Sequence, residues 1–371
     1  MADQEGRGGL CTPTRWRLIA SGVLLAACPL LVLLFERFGE ALSGGYRPFS
    51  KGLLSLQATV ASVAPFALWD FLVVGFALVA LFTLVRRVVR RRPLLPWLSV
   101  VLLVSSATLF LFVSGWALNH YAPSLANEIG LEVGAYTDDE LAATTRHYLE
   151  RAAALAPSVP RGEDGELLRQ DFYELARIAG GSYRELSESY GIFEGSQAPV
   201  KALLLLGEPL LLSGHVGIFF SPTGESSVPV NCAVADLPFT MCHEAAHRLA
   251  IAREQEANFA AFLACTTSDD VRFSYSGYYS AFSFCYGALR RSDPDRAARL
   301  LDEVRTSGLD AGVGLVLADL VATGRHYDAY EGWFGRVGSA VNDGYLRSFG
   351  EREGVKSYGL VVDYLIAWDR R

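Results

Sequence analysis

The chain has 371 residues, enough for one or two domains with their own cores, and 51% of them are hydrophobic, a high share for a wholly water-soluble protein. The net charge of −7 is unevenly spread: residues 1–117 hold 11 Lys+Arg against 5 Asp+Glu, and the remainder holds 22 against 35. So acidic a C-terminal part repels phosphates instead of releasing their counterions, which excludes nucleic acid as its partner.

Three apolar segments open the chain. Residues 18–35 carry no charge, residues 65–85 carry one (Asp70), and residues 94–118 carry none and are bordered by Trp97, Trp116 and Tyr121. Each is long enough to cross roughly 30 Å of hydrocarbon as a helix. Arg86, Arg87, Arg90, Arg91 and Arg92 lie between the second and third segments. The positive-inside rule puts that loop and the N-terminus in the cytoplasm, so the chain after about residue 120 is expected outside a cytoplasmic membrane that it crosses three times. Leu25 to Cys28 reads "LAAC", like a lipoprotein cleavage box, but the apolar run continues to Phe35 and favours a span over lipidation of Cys28. Asp70 sits near the outer end of its segment, as an interfacial residue would.

These positions divide the chain into an anchor, residues 1–121, and a second domain, residues 122–371. The second domain is mostly helical in pattern. Thr137 precedes an acidic first turn and a helix ending at Pro157, Gly180-Gly181 breaks another helical stretch, and Asp293 heads "DPDRAARLLDEVRTSG". A helix over residues 355–371 closes the chain. Residues 200–238 differ in kind: apolar and β-branched residues alternate with Gly, Pro and Ser breaks, which predicts two or three short strands. The expected class is α+β. The six cysteines show no CxxC spacing, and their pairing cannot be deduced from the sequence.

Thr240 to Cys265 reads "TMCHEAAHRLAIAREQEANFAAFLAC". Residues four apart share a helix face, so His243 and His247 can present two imidazoles to one cation while Glu244 holds a water beside it. Imidazole and carboxylate ligands with one open position suit zinc, and Glu244 is then the base that deprotonates the attacking water. On a straight helix Glu254 lies about 10 Å beyond His247 along the axis and Glu256 points to the opposite side. A turn over residues 250–253 is therefore required, although no Gly or Pro lies between Arg248 and Phe262. With a second helix starting near Glu254, Glu256 falls in its first turn and is the acid expected to reach back.

"HEAAHRLAIAREQEANFAAFLAC", with the flanking "GIFFSPTGE", "YSGYYSAF" and "GVKSYGLVVDYLIA", resembles the bacterial membrane proteins of the domain-of-unknown-function 3810 family over most of the chain. The "ExEAN" piece is also similar to one in repressor-cleaving zincins, where the glutamate before Ala-Asn is the third ligand. The resemblance implies a zincin-like domain behind N-terminal spans, with His243, His247 and Glu256 as ligands, Glu244 as base and Asn258 supporting a ligand. The chain departs from the family at Ala250, where a glycine is common.

Glu225 in "SPTGES" is a weaker candidate for touching site or substrate, and Tyr275 and Tyr278 are candidates for stabilising an oxyanion. His215 reads as a core or edge histidine, and His120, His147 and His326 have no partner in sequence. Together these features predict a membrane-anchored zinc metallopeptidase acting on peptides or proteins outside the cytoplasmic membrane. The rival is an envelope protein holding zinc as a structural clamp or sensor, which has no need of a base at Glu244. A transport role would rest on Asp70 alone.

Overall fold

The structure is a computed structural model that describes residues 12–349 and 360–371. It is mostly helical with one small sheet. The N-terminal helices are α1 (Thr12–Ala61), α2 (Leu68–Val89) and α3 (Leu95–Gly115). The expected segment 18–35 is only the first part of α1, which kinks at Phe38 and continues to Ala61. The continuation is polar where it meets α3: Ser50 Oγ donates to the Gly115 carbonyl at 2.7 Å and accepts from Asn119 Nδ2 at 2.9 Å. Gly39 permits the close crossing at Tyr121, where a Cβ would lie 2.7 Å from the backbone oxygen.

The rest of the chain comprises α4 (Leu125–Glu128), α5 (Asp138–Leu155), α6 (Phe172–Gly181), α7 (Arg184–Ser189), β1 (Lys201–Leu203), α8 (Gly207–Leu212), β2 (Ile218–Phe220), β3 (Glu225–Pro229), α9 (Leu237–Arg248), α10 (Glu254–Thr266), α11 (Val271–Ser292), α12 (Pro294–Val304), α13 (Asp310–Asp328), α14 (Trp333–Ser348) and α15 (Val361–Asp369). The caps read from the sequence are in place. Thr137 Oγ1 accepts from the Glu140 amide while the Glu140 carboxylate accepts from the Thr137 amide, a reciprocal capping box. Asp293 Oδ1 accepts from the Arg296 amide, and α6 ends at Gly181. Of the helix expected over 355–371, residues 355–359 lie outside the described residues.

The three strands fall where turn-rich, apolar sequence predicted them. Their order is β1-β3-β2, with β1 parallel and β2 antiparallel to β3, so β2 is an edge. The main core is built from α5, α6, α9, α10, α11 and α15, and every described residue of α9 is buried. A second cluster joins the N-terminal helices to this body: Leu54, Val113, Trp116 and Leu118 pack with Phe219 and Ala252. The boundary at residue 121 runs through that cluster.

Among the described residues, four helices are long and apolar enough to cross a membrane: Thr12–Ala61, Leu68–Val89, Leu95–Tyr121 and Pro294–Asp328. The first contains the expected segment 18–35, and the second and third overlap 65–85 and 94–118 but begin at Leu68 and Leu95; the fourth was not anticipated. Its Asp319 is buried in an ion pair with Arg161 at 2.7 Å and receives the Tyr275 hydroxyl.

Candidate metal centre

The chain does reverse after His247, and it does so without glycine. Leu249 caps α9, and Ala250 adopts φ +62°. The Ile251 amide donates back to the Ala246 carbonyl and the Ala250 amide to the His247 carbonyl, the paired bonds of a Schellman turn. A non-glycine residue in the left-handed region costs about 1–2 kcal/mol. Burial of Ala250, Ile251 and Ala252 offsets that cost.

Beyond the turn, α10 begins at Glu254 and packs against α9. His243 Nε2 and His247 Nε2 are 3.1 Å apart, and Glu254 Oε2 stands 3.2 Å from the first and 3.7 Å from the second. The acid that completes the group is therefore Glu254; the expectation of Glu256 is corrected. Residues two apart on a helix are separated by about 200°, so only one of the pair can face α9. Glu256 instead accepts from Arg253 at 2.9 Å and from the Tyr364 hydroxyl at 3.3 Å.

Asn258 is where the resemblance implies it should be. Its Oδ1 lies 2.8 Å from His243 Nδ1, and His247 Nδ1 donates to the Ile251 carbonyl at 2.8 Å. Since a carbonyl only accepts, each imidazole keeps a proton on Nδ1, and Nε2, which faces the centre, is the nitrogen free to give up its proton and hold an ion. Two imidazole nitrogens and a carboxylate oxygen thus converge on one point. Glu254 Oε2 and Glu244 Oε2 are buried and have no hydrogen-bond donor. Such a set of buried acceptors fits a divalent cation. His243, His247 and Glu254 form the only such group among the described residues.

The electrostatics are those of a dry site. Burial is the largest influence on Glu244 and pushes its carboxyl up to about 7, with the neighbouring Glu254 adding to the rise and the two histidines opposing it. Burial by itself would lower His247, but the Glu254 carboxylate reverses the effect and raises it to about 9. The histidine charges hold Glu254 below the usual carboxylate range despite its burial.

The other sequence candidates are elsewhere. Glu225 accepts from the Leu68 and Trp69 amides at 2.8 and 3.1 Å and so caps α2. Tyr275 is buried against Asp319, and Tyr278 lies beside Arg151. Asp70 is buried, accepting from the Leu204, Leu205 and Leu206 amides at 2.8–3.0 Å. The five described cysteines, Cys28, Cys232, Cys242, Cys265 and Cys285, are free and buried.

Three residues stand at the site that the sequence reading did not place there. Trp116 Nε1 donates to the His247 carbonyl at 2.8 Å, and its ring meets the His247 ring edge to face at 5.6 Å. Gly217 lies so close to Glu244 that a Cβ there would collide with the carboxyl. His215 shares the cavity that opens on the centre, about 900 Å³, and pairs through Nδ1 with Ser213 Oγ at 3.0 Å. Trp116 was visible only as part of an aromatic belt, because nothing in sequence spacing links it to residue 247.

No curated protein and no solved structure matches this chain. A family model described as "Protein of unknown function (DUF3810)" matches residues 46–366, most of the chain including His243, His247 and Glu254, and the protein belongs to that family.

Proposed function

We propose that the protein is a membrane-anchored zinc metallopeptidase with a zincin-like domain outside the cytoplasmic membrane, hydrolysing peptide bonds in peptides or proteins. The observation that carries this reading is the convergence of His243 Nε2, His247 Nε2 and Glu254 Oε2 beside the unpartnered carboxyl of Glu244, at one end of a large cavity.

His243, His247 and Glu254 would hold the ion. Zinc in a three-ligand setting supplies Lewis acidity, polarising a carbonyl oxygen and acidifying water. The chain's own residues do the rest. Asn258 and the Ile251 carbonyl fix both imidazoles in the tautomer that leaves Nε2 free. Glu244 accepts the proton of the attacking water and passes it to the leaving amine. Gly217 holds the backbone of residues 215–218 against that carboxyl and limits where it can move.

Three of the four long apolar helices are read as spans, with the arginines at 86–92 in the cytoplasm. Pro294–Asp328 is assigned to the outer domain, because Asp319 and Arg161 tie it to the rest of that domain and α13 packs on α5.

The test uses the full chain in detergent. Wild type should carry about one zinc and hydrolyse peptides, while Glu244→Gln should keep the metal and lose hydrolysis. A wild-type protein that binds no zinc would sink this reading.

A further inference from the structure

The cavity beside the metal centre is not built by the outer domain alone. Phe112 and Trp116 come from α3 and the residue that follows it, Phe219 from β2, Phe239 from α9, Phe284 from α11 and Leu210 from α8. These six apolar side chains give the cavity its character. Apart from the metal set and Glu244, the ionisable groups lining it are His215 and Asp236; burial lowers the first, which favours its neutral form, and raises the second only to about 6, which leaves it a carboxylate at neutral pH. A charged substrate residue entering here would lose its hydration among the aromatic rings, and an acidic one would also meet the Asp236 carboxylate, whereas a bulky apolar one would be buried against those rings. A volume of about 900 Å³ is at the upper end of ligand-binding pockets and can take several side chains.

The position of the cavity narrows the substrate further. The 21 residues of α3 span about 31 Å, one full thickness of hydrocarbon, so in the topology proposed above its end lies at the outer membrane face. Trp116 is the next residue, and it touches His247 by both a hydrogen bond and a ring contact. The scissile bond must therefore lie within one or two side-chain lengths of the lipid headgroups. A folded soluble protein cannot bring a bond to that depth, but the extended segment beside a membrane anchor passes through it.

Resting on the hydrolytic reading above, we propose that the substrate is a membrane-anchored polypeptide, cut in its segment next to the outer membrane face beside bulky, uncharged residues that fill the Phe112–Trp116 pocket.

The experiment uses the full chain in zinc-loaded proteoliposomes, with one cleavable sequence offered either as a soluble peptide or joined to a transmembrane segment. Each is made with Phe or with Asp and Lys flanking the scissile bond. The anchored, Phe-flanked substrate should be cut at least about 100-fold faster than its charged counterpart and faster than the soluble peptide. Phe112→Ala should reduce kcat/KM for Phe flanks and narrow that preference. A second readout does not need turnover: in Glu244→Gln, an anchored peptide with a photoreactive phenylalanine at the flank should cross-link within residues 112–116. Equal cutting of charged and apolar flanks, or of soluble and anchored peptides, overturns this inference while leaving the peptidase reading intact. A zinc-loaded protein that cuts nothing overturns the peptidase reading, and a cross-link mapping elsewhere then overturns the apolar pocket as well.

Discussion

Glu254 and Glu256 stand two residues apart and have opposite fates, and the sequence held the means to separate them. Asn258 is four residues beyond Glu254 and so shares its face, while Glu256 is on the other side of the helix. Once Asn258 is taken to support a histidine, Glu254 follows as the acid beside it. The expected consequence is that Glu254→Gln lowers zinc affinity at least about 100-fold, measured by competition with a chromogenic chelator. Glu256→Gln should leave the affinity unchanged and cost about 1–3 kcal/mol of stability, because Arg253 and Tyr364 lose their acceptor. Equal loss of zinc in both variants would refute the assignment. The turn between the helices was harder to read. Nothing in residues 248–253 breaks a helix by propensity; what ends α9 is the Schellman pairing and the burial of Ala250 to Ala252, both tertiary in origin. Ala250→Gly should stay within about 1 kcal/mol of wild type, relief of the left-handed strain offsetting the lost methyl group. Ala250→Val, β-branched at φ +62°, should lose several kcal/mol. Gly217 makes a separate prediction. Gly217→Ala pushes on the Glu244 carboxyl and not on the ligands, so metal content should hold while hydrolysis falls about 100-fold.

At the scale of elements, apolar length and turn chemistry located most helices and all three strands, because those signals are local. What they could not show is which elements share hydrogen bonds. Asp70 and Glu225, read as an interfacial acid and a site candidate, form a reciprocal clasp. Glu225 on β3 receives the first free amides of α2, and Asp70 in the first turn of α2 receives three amides of the loop after β1. Each carboxylate satisfies donors that would otherwise be buried alone, and together they fix the start of α2 to the sheet that forms one wall of the cavity. Replacing Asp70 with Ala strands three amides and should cost about 3–5 kcal/mol. Thermal unfolding of the full chain in micelles measures this, and Asp70→Ala combined with Glu225→Ala should lose less than the sum of the two separate losses, because both act on one joint.

For the whole molecule, the question is whether the anchor is only a tether. Sequence composition divides the chain cleanly near residue 121, where grease gives way to charge. The structure does not separate there, because Val113, Trp116 and Leu118 share a core with Phe219 and Ala252, and Ala252 belongs to the turn that aims Glu254. Trp116 also holds the carbonyl of His247. If the anchor were only a tether, residues 122–371 alone would bind zinc as tightly as the full chain. If it is part of the centre, as the shared core implies, the fragment should bind at least 10-fold more weakly or fail to stay soluble. Trp116→Ala in the full chain separates the local effect from the global one. It removes the hydrogen bond and the ring contact but leaves α3 in place, and supporting groups of this kind are worth about 10–100-fold in metal affinity. Full-length Trp116→Ala should therefore weaken zinc binding by about that factor while its α-helical circular dichroism is unchanged. Wild-type affinity in both the fragment and the variant would return the anchor to the role of a tether.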